Sequence, residues 1–265
     1  QKNDDNALEM YTLQCRNHIL KPLAEKYGID TSDEAIRAAV DQHNEVCRLI
    51  RQIGDFRKEA NPRVTGYEFH ILTMASYVAP KHLILDKLRE TLEEIKTREP
   101  DAADKYRARV VFVGSEVDDV DVIKLVEESG AYVCADRFCY GSLPGRDEII
   151  LNDEEDVVKQ ICRQVQGRAQ CPRSWDMAKM TGRRDYVADL AKEYGADGII
   201  YEQMKFCDPW AYERMIGTIV LRDEHGYPVL AVDRPYSIGS SGQMRTRVQA
   251  FVESIEIKKI QGGKK

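Results

Sequence analysis

Between Asn6 and Gly28 the stretch NALEMYTLQCRNHILKPLAEKYG carries apolar residues at helical spacing and stops at a glycine, the pattern of a helix with a C-terminal cap. The following TSDE places Thr31 and Glu34 in a capping-box pattern, and the amphipathic period after it runs to about Ala60. NPRVTG interrupts that period, a helical segment covers roughly 66–79, and the charged stretch PKHLILDKLRETLEEIKTREP closes the region.

From Ala108 the periodicity changes. ARVVFVGS, AYVCAD, DGIIYEQ and PVLAVDR are short, continuously apolar runs, each followed by helical pattern: DDVDVIKLVEESG, most of 153–194, DPWAYERMIGTIVLRDEHG and GQMRTRVQAFVESIEIKK. Strands apolar on both faces and alternating with helices predict a parallel sheet covered on both sides. The expected fold class is therefore α/β, with a helical segment over residues 1–105 and a doubly wound, Rossmann-like domain with a four-stranded parallel sheet over residues 106–265.

Composition narrows the function classes. The 265 residues carry a formal net charge of -6, which speaks against a nucleic-acid-binding face built from clustered Lys and Arg. No apolar run approaches the ~18 residues of a membrane span, and no secretion signal opens the chain. Seven cysteines, an odd number, are Cys15, Cys47, Cys134, Cys139, Cys162, Cys171 and Cys207, and none form a C-x-x-C pair. That usage suggests the reducing cytoplasm. The five histidines lack metal-ligand spacing and are read as non-catalytic.

In a doubly wound sheet, ligands bind at the carboxyl ends of the strands, near the switch in strand order. The residues just past each predicted strand are Gly114-Ser115-Glu116, Asp136 to Gly141, Met204 to Asp208, and Asp233-Arg234-Pro235 running on through YSIGSSGQ. Gly239, Ser240, Ser241 and Gly242 stand directly before a helix, where backbone N–H groups and the helix dipole favour an anion, although the same residues also make an ordinary cap. Arg245 and Arg247 on that helix are candidates for meeting a carboxylate or phosphate.

Cys207 follows a buried strand and precedes Asp208-Pro209, a good helix start. A thiol at a helix N-terminus has its thiolate stabilised, as nucleophilic chemistry and iron–sulfur ligation both require. A hydrolase triad is disfavoured because no histidine ends another strand, and a zinc site because no paired ligands accompany it. A structural thiol, a redox thiol and a metal ligand remain open on the residues alone. Cys139, in CADRFCYGSLPG, is a weaker candidate near the same edge; Cys15, Cys47, Cys134, Cys162 and Cys171 read as packing residues.

The segments DRFCYGSLPGRDEI, CPRSWDM, ADGIIYEQMKFCDPWAYER, VDRPYSIGSSGQMRTRVQAFVESIE and NEVCRLIRQIGDFRKEANPRVTG resemble the D-component family of 2-hydroxyacyl-CoA dehydratases and ATP-dependent benzoyl-CoA reductases over nearly the whole chain. The wording around Cys139 and the ending VESIEIKKIQ look nearest to the smaller cluster-bearing subunit of a class I benzoyl-CoA reductase. The resemblance implies a paired homologous subunit, a four-iron four-sulfur cluster held by three cysteines, and a separate ATP-hydrolysing iron–sulfur activator that delivers single electrons to an acyl-CoA. It carries Cys207 over as one cluster ligand; Cys139 is kept as a possible further ligand only from its place near the same edge, not from the resemblance. The family's other two ligands belong to an α/β domain ahead of the opening helices, so the chain is expected to be the carboxyl-terminal part of a subunit. Asp136, Glu202, Lys205 and Asp208 crowd the edge as candidates for moving protons. The turn at Gly239–Gly242 with Arg245 is the candidate for polar contact with thioester or cluster sulfides. The implied activity is aromatic acyl-CoA reduction, with 2-hydroxyacyl-CoA dehydration as the alternative and a non-catalytic partner role as the reading from another class.

Overall fold

A computed structural model describes residues 4–100, 105–142, 147–168, 170–173, 177–236 and 241–262. The first helical pattern forms α1 (Asp5–Cys15) and α2 (Lys21–Tyr27), joined through one wide turn at Arg16–Leu20 in which the Lys21 N–H reaches back to Arg16 O. Pro22 lacks an N–H and its ring crowds the carbonyl a turn earlier, and the widened turn makes room for it. Gly28, at φ 64°, ends α2 in the left-handed conformation that its lack of Cβ permits.

Helix α3 (Asp33–Asp55) departs from expectation at both ends. Ser32, not Thr31, is the N-cap; its extended backbone lets its hydroxyl accept from Ala35 N at 3.3 Å. The helix gives way at Asp55 to a tighter turn, Phe56–Lys58, that sends Arg57 inward. A true capping box forms instead at Thr65 and Glu68, opening α4 (Gly66–Val78). Helix α5 (Lys81–Thr97) follows, and Ile50, Ile53, Phe69, Leu88 and Ile95 are among the side chains that close a core between α3, α4 and α5.

The remaining elements are β1 (Ala108–Val113), α6 (Val120–Glu128), β2 (Ala131–Arg137), α7 (Val157–Arg168), α8 (Met177–Glu193), β3 (Gly198–Met204), α9 (Asp208–Asp223), β4 (Val229–Arg234) and α10 (Ser241–Gly262). The four strands are all parallel in the order β2-β1-β3-β4. Because successive side chains point to opposite faces, Val110, Phe112, Val133 and Ile200 pack against α6 and α10, whereas Val111, Val113, Ile199 and Tyr201 pack against α8 and α9. The doubly wound α/β fold expected from the apolar runs is present.

The helical region seals one sheet edge. Helix α4 packs on α6 and β2, and Tyr132 on β2 donates to Val64 O at 2.8 Å. Glu127, near the end of α6, accepts from Gly66 N at 2.8 Å and Tyr67 N at 3.1 Å, so its carboxylate meets the positive end of α4. A Cβ at Gly66 would come within 2.6 Å of Val133 Cβ, so only glycine allows that approach. Among the described residues no helix is long and apolar enough to cross a membrane.

Candidate functional site

Strand order reverses direction between β1 and β3: β2 lies beyond β1, and β4 beyond β3. The loops leaving β1 and β3 therefore part company at their carboxyl ends, α6 on one face and α9 on the other, which opens a crevice there. The described parts of the segments expected at this edge follow the ends of their strands.

A buried polar network holds the crevice. Glu202, fully enclosed at 0% exposure, accepts from Ser115 N at 3.1 Å and Ser115 Oγ at 2.9 Å, and Arg234 Nε lies 2.9 Å from its other oxygen. Ser115 Oγ in turn accepts from Met204 N at 2.7 Å. Arg234 also donates to the carbonyls of Glu116 and, at 3.2 Å, Tyr236. One carboxylate thus ties together the loops after β1, β3 and β4. Gly114 is what lets it in, since a Cβ there would lie 2.5 Å from Glu202. Burial, only partly offset by Arg234 and Ser115, pushes the Glu202 carboxyl up to about 7.

Asp136, at the end of β2, is enclosed in a second network. It accepts from Arg57 at 2.9 Å, Ser142 N at 2.6 Å and Ser142 Oγ at 2.9 Å, with both carboxylate and guanidinium buried. Arg57 also lies 3.6 Å over the Phe69 ring. A cavity of about 620 Å³ borders this pair between α3, β2 and α8. Most charged groups that line it are paired: Arg48 and Arg51 with Glu148, Lys58 with Asp55 and Glu193. It does not include the Cys207 turn.

The turn after β3 is open by contrast. Lys205 Nζ stands 4.0 Å from Asp233 with half its side chain in solvent. Phe206 is 97% exposed and has φ 70°. Cys207, half-buried, is the N-cap residue of α9, and its sulfur makes no capping bond. Its backbone N–H closes the turn onto Met204 O at 3.1 Å. Asp208 and Pro209 begin α9 as the sequence predicts, so Cys207 stands at the positive end of a 16-residue helix, packed against the core on the α8 and α9 face of the sheet.

Cys139 is anchored to the crevice by its N–H on Ser115 O at 3.1 Å. Burial first, then the neighbouring Cys171 thiol, push its own thiol up to about 11, against the pull of Arg137; Cys207 acts in the same upward direction from further off. Arg137, buried over Trp210, fixes the approach to Cys171 by donating to Gln170 Oε1 at 3.0 Å. Among the described residues no three His, Cys, Asp or Glu side chains are placed to hold a metal ion.

The candidate anion turn is only partly described. Gly239 and Ser240 lie outside the described residues, as does the side chain of Ser241, and Gly242 sits in the first turn of α10. Arg245 pairs with Glu128 at 2.8 Å, and Arg247 donates to Ala231 O on β4 at 2.6 Å. Sequence reasoning missed Arg57 and Glu127 as the partners that seal β2. Neither had a local signal, because each meets residues some 60–80 positions away.

The sequence matches the family described as 2-hydroxyglutaryl-CoA dehydratase, D-component, over residues 1–255. Among curated proteins it is 25% identical over 238 residues to the (R)-phenyllactyl-CoA dehydratase beta subunit of Clostridium sporogenes, covering 89% of this chain and 61% of that protein. It is 23% identical over 259 residues to a benzoyl-CoA reductase subunit of Thauera aromatica, covering 96% and 65%. It is 25% identical over 260 residues to the beta subunit of (R)-2-hydroxyglutaryl-CoA dehydratase of Acidaminococcus fermentans, covering 96% and 66%. The chain thus spans about three-fifths to two-thirds of the length of these relatives.

Proposed function

The chain belongs to the 2-hydroxyglutaryl-CoA dehydratase D-component family, and from that premise we propose that it is the crevice-bearing part of an iron–sulfur subunit that passes single electrons to an acyl-CoA. The observation that carries this reading is Cys207: a half-buried thiol at the mouth of the strand-switch crevice, on a helix N-terminus, with no capping duty. A four-iron four-sulfur cluster bound there would supply low-potential electrons. Cys139 at the same edge is a second candidate ligand, and the others would come from outside the described residues. A paired homologous subunit and an ATP-hydrolysing iron–sulfur activator are the partners this chemistry calls for.

This chain's own residues would do the following. Cys207 holds iron through its sulfur. Glu202, Ser115 and Arg234 fix the three loops around it. Of Asp136, Glu202, Lys205 and Asp208, the first two are buried and the last two are exposed, so Lys205 and Asp208 are the residues placed to hold or deliver a proton at the rim. Asp136 and Glu202, fully engaged with Arg57, Ser142, Ser115 and Arg234, serve as positioning groups.

Within this chemistry, reduction of an aromatic acyl-CoA is the first reading. Dehydration of a 2-hydroxyacyl-CoA through a ketyl radical is the second, and the dehydratase beta subunits among the relatives favour it as directly as the reductase relative favours the first. The test is anaerobic purification of the complete subunit with its partner, followed by iron and acid-labile sulfide analysis. Cys207→Ser is expected to lose the subunit's iron and its turnover while keeping its melting temperature. An iron-free wild type, or unchanged iron in the variant, refutes the reading. Product analysis with benzoyl-CoA and with a 2-hydroxyacyl-CoA, activator and ATP present, separates the two activities.

A further inference from the structure

Among the described non-glycine residues Phe206 alone has a positive φ, 70°. It occupies the third position of the turn closed by Cys207 N on Met204 O at 3.1 Å, with Lys205 at the second. A turn with negative φ followed by positive φ is of type II, whose third position is filled by glycine because a Cβ is strained there. For a bulky side chain such a conformation is a true outlier. The ring recovers nothing by burial, since it is 97% exposed. Phe206 therefore burdens the fold twice, in backbone strain and in exposed apolar surface, and no contact within the described chain offsets either.

The surrounding network forces this arrangement. Met204 N is held by Ser115 Oγ and Lys205 N by Arg234 O at 2.8 Å, so the start of the turn is pinned to the loop after β1 and to the end of β4, and Cys207 N closes the turn on Met204 O. The ring is presented at the crevice one residue from the Cys207 thiol. Strain held in place by its surroundings at a ligand-binding edge is a mark of function. Lys205, the neighbour of Phe206 in the chain, and its partner Asp233 are both half exposed and charged, so the turn sets an aromatic face next to charges.

We infer that Phe206 is the specificity-determining surface for the acyl group: its exposed ring at the crevice mouth, beside the Lys205 ammonium, stacks on the apolar acyl portion of the thioester while the cation faces the polar portion. This rests on the acyl-CoA reading above. A flat aromatic face suits an aryl or other planar acyl group better than a flexible alkyl chain.

The experiment uses the complete complex, with Phe206→Gly and Phe206→Leu. Phe206→Gly removes both burdens and is expected to raise the melting temperature by roughly 1–3 °C, with iron content unchanged. It should lower kcat/KM for the acyl-CoA by roughly tenfold or more, the loss expected for one aromatic contact. Phe206→Leu keeps the strain and bulk but not the flat ring, and should shift the ratio of kcat/KM values away from aromatic toward aliphatic acyl-CoA. A kcat/KM within about twofold of wild type in both variants overturns the inference. So does a Phe206→Gly complex that falls apart on size exclusion while intact complexes keep full kcat/KM, which would assign the ring to a protein partner. A wild type with iron but no acyl-CoA turnover defeats the proposed function itself, whereas normal wild-type turnover with unaffected variants defeats only the role of Phe206.

Discussion

The strand at one sheet edge, β2, is buried along its whole length, while β4 at the other edge is partly open over most of its residues. The same asymmetry runs through their polar groups. On the β2 side, Asp136 and Arg57 pair with each other and Glu127 accepts from backbone N–H groups, all inside the chain. On the β3–β4 side, Glu202 and Arg234 are sealed underneath, but Lys205, Phe206 and Tyr236 are left to solvent. The helical region explains the difference: α4 and the Arg57 turn cover β2, and among the described residues no element covers the Cys207 turn in the same way. A charge answered within the fold serves stability, and one left open is available to something outside it.

The largest effect should come from breaking the sealed side. Arg57→Met leaves the buried Asp136 carboxylate without its cation, a change that costs about 3–5 kcal/mol. Chemical denaturation should show the midpoint fall without a change in slope. A loss below about 1 kcal/mol, the level of an exposed pair, would mean that the two sides do not differ as described.

The hidden half of this pairing explains what the sequence could and could not show. The four strands were legible because an apolar run flanked by helical periods has few other interpretations, and Cys207 was legible as a helix-start thiol because Asp208-Pro209 follows it. The cap at Ser32 was off by one residue because two adjacent hydroxyl side chains offer the same local signal, and only the extended backbone at Ser32 decides between them. Thr65 lay in the stretch read as a breaker and Glu68 in the helical segment after it, so the box that joins them was not seen. Arg57, Glu127 and the Glu202–Ser115 bond were out of reach, since their meaning depends on residues brought together by the sheet. The strain at Phe206 was equally invisible, because only the backbone angle reveals that a phenylalanine sits where glycine belongs.

A second, smaller effect compares the two buried carboxyls, one on each side. Burial pushes both Glu127 and Glu202 up to about 7, from an ordinary value near 4.5. The folded protein then holds more protons than the unfolded chain between those two values, so stability must fall as pH rises through that window and level off above it. Glu202→Gln and Glu127→Gln should each remove part of that slope in unfolding free energy measured from pH 4.5 to 8. A slope unchanged by both variants would show that the carboxyls are not the titrating groups.

The smallest effect belongs to the open rim. Lys205 and Asp233 are each about half exposed and 4.0 Å apart, a geometry in which solvent screens most of the attraction. Lys205→Met should therefore shift unfolding free energy by less than about 1 kcal/mol. Its consequence should appear in turnover of the complete complex, because an ammonium that contributes little to the fold is free to face substrate. If the variant instead destabilised the chain as strongly as Arg57→Met does, the rim would be part of the scaffold, and the division between a sealed edge that holds the fold and an open edge that meets ligand would be lost.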